Sequence, residues 1–134
     1  MNSQLTVYKA SAGSGKTFTL AREYMTLVIA NPYSYRTILA VTFTNKATEE
    51  MKTRILSQLY GIAHGLEESH GYLEQIKKAL PHLTQKQIEK NAGTALSLLI
   101  HNYNYFRVET IDTFFQSVLR NLARELDLTA NLRI

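Results

Sequence analysis

The chain has 134 residues, 45% hydrophobic and 19% charged, which suits one globular domain with a real core and excludes bulk disorder. It contains no cysteine, so disulfides and thiolate metal sites are excluded and a reducing cytoplasm fits. A net charge of +4 favours an anionic partner, and neither a signal peptide nor an apolar stretch of bilayer length is visible, so a soluble cytoplasmic protein with no membrane role is expected.

In chain order, "LTVYK" reads as a short strand and "ASAGSGKT" as a phosphate-binding loop formed by Ala10, Ser11, Ala12, Gly13, Ser14, Gly15, Lys16 and Thr17. Gly13 and Gly15 carry no Cβ, so consecutive N–H groups can turn inward around an anion. Lys16 is a point charge within reach of β- and γ-phosphates, and the Thr17 hydroxyl is of the kind that ligates Mg²⁺. ATP and Mg²⁺ are therefore the expected cofactors, with Lys16 and Thr17 as the chemically engaged residues. Ala10 replaces the first Gly of the strict G-x-x-x-x-G-K-[ST] pattern, a mild departure because that position only starts the turn. After the loop, Phe18, Leu20, Ala21, Tyr24, Met25 and Val28 share one face of a helix, whose N-terminus adds partial positive charge to the site.

"NPYSYR" is a polar connection, and the following "TILAVTF" is a nearly continuous apolar run that predicts a parallel strand buried on both faces. Asn45 can cap the next helix, in which Ala47, Met51, Ile55 and Leu59 recur every four residues. "GIAHGLEESHG" breaks that pattern with three glycines. "YLEQIKKAL" predicts a short helix ended by Pro81, and Thr84 with Gln87 has capping-box spacing at the start of another. "YFRVET" reads as a third strand. In "DTFFQSVLRNLARELDL" the apolar residues Phe114, Phe115, Val118, Leu119, Leu122 and Leu126 predict an amphipathic helix with Asp112 as N-cap. Strands alternating with helices argue for an α/β fold with a parallel sheet and right-handed crossovers.

A phosphate loop alone leaves kinases, GTPases, transporters and helicases open. The second strand narrows the choice, because "ILAVTFTNKATEEMKTRI" resembles motif Ia of the superfamily 1 UvrD/Rep DNA helicases. Residues just past the carboxyl end of a parallel strand lie on the ligand-facing rim of a sheet. There Phe43 reads either as a ring for base stacking or as a core residue. Thr44 and Asn45 read as hydrogen-bond donors to phosphate or sugar, Asn45 also as a plain helix cap. "VETIDTFFQSVLRNLARE" resembles motif Ib, with Asp112 in place of the family histidine, a change that sets a carboxylate against a phosphate backbone. Thr110 keeps its match and with it an implied DNA-facing role.

The flavour of "ASAGSGKTFTL" is closer to the RecB/AddA branch than to the Rep branch. The resemblance implies a P-loop NTPase (RecA-like) sheet flanked by helices, incomplete, with a helical insertion over residues 65–105. It also implies that residues 1–134 are part of a helicase ATP-binding domain acting in DNA repair or recombination. The implied partners are single-stranded DNA, the remainder of a longer helicase chain, and a nuclease subunit or domain. Family hydrolysis further needs an Asp-Glu pair ending a later strand and arginines from a second domain. No apolar run here ends in Asp-Glu, so these 134 residues alone are expected to be inactive. Two other readings stay open: a small P-loop kinase with Asp112 serving Mg²⁺, and a nucleotide-responsive binding module without catalysis.

Overall fold

The computed structural model describes the backbone of residues 4–7 and 14–132 and the side chains of residues 17–127. Its first elements are β1 (Gln4–Val7), α1 (Ser14–Ala30), a 3-10 turn (Pro32–Thr37), β2 (Ile38–Thr42) and α2 (Asn45–Ala63). A second 3-10 turn (Glu67–Ser69), α3 (His70–Ala79) and α4 (Gln85–His101) follow. A third 3-10 turn (Tyr103–Tyr105), β3 (Arg107–Thr110) and α5 (Ile111–Leu132) complete it. The expected α/β character holds, with helices predominating over a three-stranded sheet of order β1-β2-β3.

All five residues of β2 are buried, and β2 pairs in parallel with both neighbours, Gln4 facing Ile38 on one side and Ala40 facing Val108 on the other. An apolar run without alternation does this because both of its faces must be covered. Ile38, Ala40, Phe106 and Val108 enter the same apolar cluster as Leu20, Tyr24 and Met25 of α1, Met51, Ile55 and Leu59 of α2, and Ile88, Ala92, Ala95 and Leu99 of α4. The helices within residues 65–105 are thus part of the main core. The Asn91 amide of α4 donates to the Ile29 carbonyl at 2.8 Å, supplying a partner to a carbonyl in the last turn of α1.

Local signals place most helix ends. Thr84 and Gln87 form the expected capping box reciprocally, Gln87 N to Thr84 Oγ1 at 3.2 Å and Thr84 N to Gln87 Oε1 at 2.8 Å. Two caps differ from expectation. Thr44, in extended backbone, caps α2 by accepting from Ala47 N at 3.0 Å, and Asn45 is the first helical residue. Thr110 Oγ1 accepts from Thr113 N at 3.2 Å, so Thr110 caps α5 and Asp112 sits inside its first turn. In both cases a threonine one or two residues earlier, Thr44 just past β2 and Thr110 at the end of β3, reaches the free amide first.

The polar connection at residues 31–36 is also more structured than its composition suggests. Asn31 caps the first 3-10 turn, and Tyr35 turns inward and is buried. The glycines after Leu59 do not stop α2 at once. Gly61 lies within α2 where the Ser69 side chain packs against it; a Cβ there would come 2.9 Å from Ser69 Cβ and closer still to its hydroxyl. The reversal follows at Gly65, with φ of +65°.

The apolar face of α5 has no cover among the described residues. Phe115, Val118, Leu119, Leu122 and Leu126 are all exposed, although their spacing is that of a buried stripe. The expected amphipathic helix forms, but its apolar side is not in this core.

Packing sets how single substitutions act on stability. Gly61→Ala should cost about 1–3 kcal/mol through overpacking against Ser69, read as a lower denaturant midpoint with unchanged slope. Leu99→Ala, in the core, should cost about 2–5 kcal/mol. Leu119→Gln on α5 should by contrast stay within about 0.5 kcal/mol of the parent chain in the same titration.

Candidate functional site

Three parallel strands send their carboxyl ends to one edge of the sheet, and each is followed by a helix whose N-terminus returns to that edge: α1, α2 and α5. Free N–H groups and the helix dipoles therefore accumulate on a single rim. Neither α1 nor α2 carries an acidic residue in its first turn, so their positive ends are uncompensated. The third N-terminus, of α5, carries Asp112 and is the least suited to an anion. This distribution favours phosphate at α1 and α2.

Of the phosphate-loop residues, Ser14, Gly15, Lys16 and Thr17 form the first turn of α1. Ala10, Ser11, Ala12 and Gly13 lie outside the described residues, as do the side chains of Ser14 and Lys16. Thr17 is buried at the base of the turn. A helix opening directly after the loop, with no carboxylate in its first turn, fits an anionic nucleotide. A threonine hydroxyl held there is chemically competent as one Mg²⁺ ligand.

Phe43, Thr44 and Asn45 stand at the junction of β2 and α2, and all three are exposed, Phe43 at 45% of its surface. Burial therefore does not account for Phe43. The Thr44 hydroxyl accepts from Ala47 N, which leaves its own proton available as a donor. Beneath this surface Thr42 Oγ1 and Thr48 Oγ1 lie 2.6 Å apart, a buried hydroxyl pair that ties the end of β2 to the first turn of α2. Thr110 is placed differently. It is buried, and its hydroxyl donates to Thr113 Oγ1 at 2.9 Å while accepting the cap hydrogen bond. Its role at the rim is to fix where α5 begins.

One feature is invisible to linear motifs. A cleft of about 520 Å³ opens one residue beyond Thr17, lined by Phe18, Glu49, Glu50, Arg54, Gln58 and Tyr72 among others. Phe18 and Tyr72 stack with centroids 4.1 Å apart, and the buried Gln58 Oε1 has no hydrogen-bond partner among the described residues. Tyr72 comes from α3, more than fifty residues along the chain from Phe18, so only the fold brings the rings together. With Glu49 and Glu50 against a single Arg54 on its wall, the cleft has a net negative lining that disfavours a phosphate.

Comparison with known proteins places the chain in a family. The family model described as the UvrD/REP helicase N-terminal domain matches residues 1–134. The RecB subunit of the RecBCD enzyme of Borreliella burgdorferi is 32% identical over 126 residues, 94% of this chain and 10% of that protein. An ATP-dependent helicase/nuclease subunit of Thermoanaerobacter sp. is 34% identical over 127 residues, 93% of this chain and 8% of that protein. The ATP-dependent DNA helicase UvrD1 of Mycobacterium leprae is 30% identical over 117 residues, 87% of this chain and 14% of that protein. The chain thus spans about a tenth of the length of these curated relatives. No solved structure matches.

The rim separates two residue roles by stability. Thr44→Ala removes the α2 cap and should cost about 1 kcal/mol in a urea titration. Phe43→Ala, at an exposed position, should change stability by no more than about 0.5 kcal/mol. A large loss for Phe43→Ala would return that ring to the core.

Proposed function

The chain belongs to the UvrD/REP helicase N-terminal domain family, and we propose that it is the nucleotide-binding part of a RecB/AddA-like, ATP-dependent DNA helicase. The observation that carries the reading is the coincidence of the phosphate-loop sequence with a helix N-terminus free of acidic residues, on the rim where two other helices begin. On this reading the sheet is the start of a RecA-like P-loop domain. Backbone amides of Ala10–Gly15 and the Lys16 ammonium hold ATP phosphates, and Thr17 contributes a ligand to Mg²⁺. Bound Mg²⁺ would neutralise phosphate charge during transfer.

Phe43 is assigned to stacking on a base of single-stranded DNA, with the Thr44 hydroxyl and the Asn45 amide donating to phosphate or sugar. Thr110 supports this surface by starting α5 where it does. DNA repair or recombination is the setting that fits, as three of the similar proteins are named as subunits of an ATP-dependent helicase/nuclease. The kinase reading would assign Mg²⁺ to Asp112, which lies in the first turn of α5.

Binding and turnover should separate. Lys16→Ala should weaken ATP·Mg²⁺ binding roughly ten- to a hundredfold by titration calorimetry, as expected for loss of a charge-assisted contact. Equal affinities would overturn the loop assignment. Steady-state phosphate release by the 134-residue chain should stay far below helicase rates with or without single-stranded DNA. An arginine finger alone is worth roughly 10³–10⁵ in related enzymes, and no residue of the described rim fills that role.

A further inference from the structure

The opposite edge of the sheet carries a feature that the nucleotide site does not use. Four of the eight tyrosines fall in two Tyr-x-Tyr steps, Tyr33-Ser34-Tyr35 and Tyr103-Asn104-Tyr105. Each step lies in a 3-10 turn, one leading into β2 and the other into β3. Because β2 and β3 are parallel neighbours, the two turns sit side by side at the amino-terminal edge, away from the rim. Tyr35 is buried, but Tyr33, Tyr103 and Tyr105 are exposed at 69%, 46% and 47%.

Cations are interleaved with these rings. The Arg36 guanidinium lies 4.7 Å from the Tyr105 ring centroid and so links the two turns. Its Nε donates to the Tyr35 hydroxyl at 3.2 Å, which fixes the guanidinium in place. Lys52 of α2 brings its ammonium 4.9 Å from the Tyr103 ring. Neither Arg36 nor Lys52 meets a carboxylate within ion-pair distance among the described residues, whereas the adjacent Arg107 is neutralised by Glu109 at 2.9 Å. A cation–π contact at an exposed site contributes only about 0.5–1 kcal/mol and leaves the positive charge in place. What results is a set of half-open π faces held beside two charges with no counter-ion among the described residues.

We infer that this edge is a second binding surface for single-stranded nucleic acid, in which Tyr33 and Tyr105 offer faces for bases while Arg36 and Lys52 contact phosphates. Every base has a π face and every nucleotide a phosphate, so the surface would bind without sequence preference. An acidic protein segment would use the cations but would leave the rings without the planar partners that their exposure accommodates. The proposal stands apart from the nucleotide site and from the Phe43 surface.

The test uses the 134-residue chain and a fluorescein-labelled oligothymidine in anisotropy titrations at fixed salt, with circular dichroism checking each variant's fold. Arg36→Gln combined with Tyr105→Ala should weaken binding about tenfold or more, and Tyr33→Ala about fivefold or more. Tyr33 is mostly solvent-exposed, so its variant decides the matter even if the double variant fails to fold. An oligonucleotide of the same length lacking bases should bind the parent chain more weakly and be insensitive to Tyr33→Ala. Iodouracil-substituted oligonucleotide should crosslink to Tyr33 or Tyr105 in the parent chain and in Phe43→Ala alike. Unchanged affinity in Tyr33→Ala, crosslinks confined to the Phe43 surface, or equal competition by poly-glutamate and oligothymidine at the patch would each overturn the proposal. The last outcome would identify an acidic-protein surface, and none of the three bears on ATP binding at Lys16.

Discussion

Burial of β2 on both faces, between two parallel neighbours, is the constraint from which the layout of this protein follows. Parallel pairing fixes the chemistry of each sheet edge before any side chain is considered. Every strand ends on the same side, and the helix that follows β1, β2 or β3 starts there with unpaired N–H groups. A rim rich in positive dipole is thus a consequence of topology. The sequence then modulates it: no acid opens α1 or α2, while Asp112 opens α5. The residues proposed to bind phosphate include Ser14–Thr17, which open one of the two helices where the field is unopposed.

Much of this was legible because the signals are local or periodic. An apolar run without alternation identified β2, a four-residue period identified α2, and the Thr84–Gln87 spacing identified the start of α4. What escaped depends on distances between residues remote in sequence. Gly61 looks like a helix breaker until Ser69 is seen packed against it. Tyr35 looks polar in "NPYSYR" but is needed to fill the core below β2. Asn45 and Asp112 are good capping residues by type, and each lost that role to a threonine one or two residues earlier. The Phe18–Tyr72 cleft joins α1 to α3, a pairing no spacing rule contains. For the candidate site, residue type alone suggested the phosphate-binding and Phe43–Asn45 assignments, whereas only burial distinguished Thr110 from its exposed counterparts.

Five large apolar side chains facing solvent along α5 form a patch of the sort that marks an interaction surface. The covered helices α1, α2 and α4 show what the same kind of periodicity does when a partner is present. Helix formation in α5 is secured at its start by the Thr110 cap, so the stripe is presented in order even without cover. A cap that holds an apolar helix at the rim also holds whatever packs on that helix at the rim, next to Asp112 and the β2–α2 junction.

The two edges of the sheet differ in how they can attract an anion. At the rim, backbone N–H groups and helix dipoles supply positive potential, which leaves side chains there, such as the exposed Phe43, free for contacts of shape. At the opposite edge α1 and α4 end, and the potential from their C-termini is negative. The C-terminal helix ends therefore do not serve an anion there. Any anion-binding capacity at that edge must come from side-chain cations strong enough to outweigh the helix ends. Arg36 is suited to this because a guanidinium stays charged, stacks on Tyr105 with one face, and keeps donors for a ligand. The same parallel topology that makes one edge attractive to phosphate through its backbone requires arginine, lysine and tyrosine to do the equivalent work at the other.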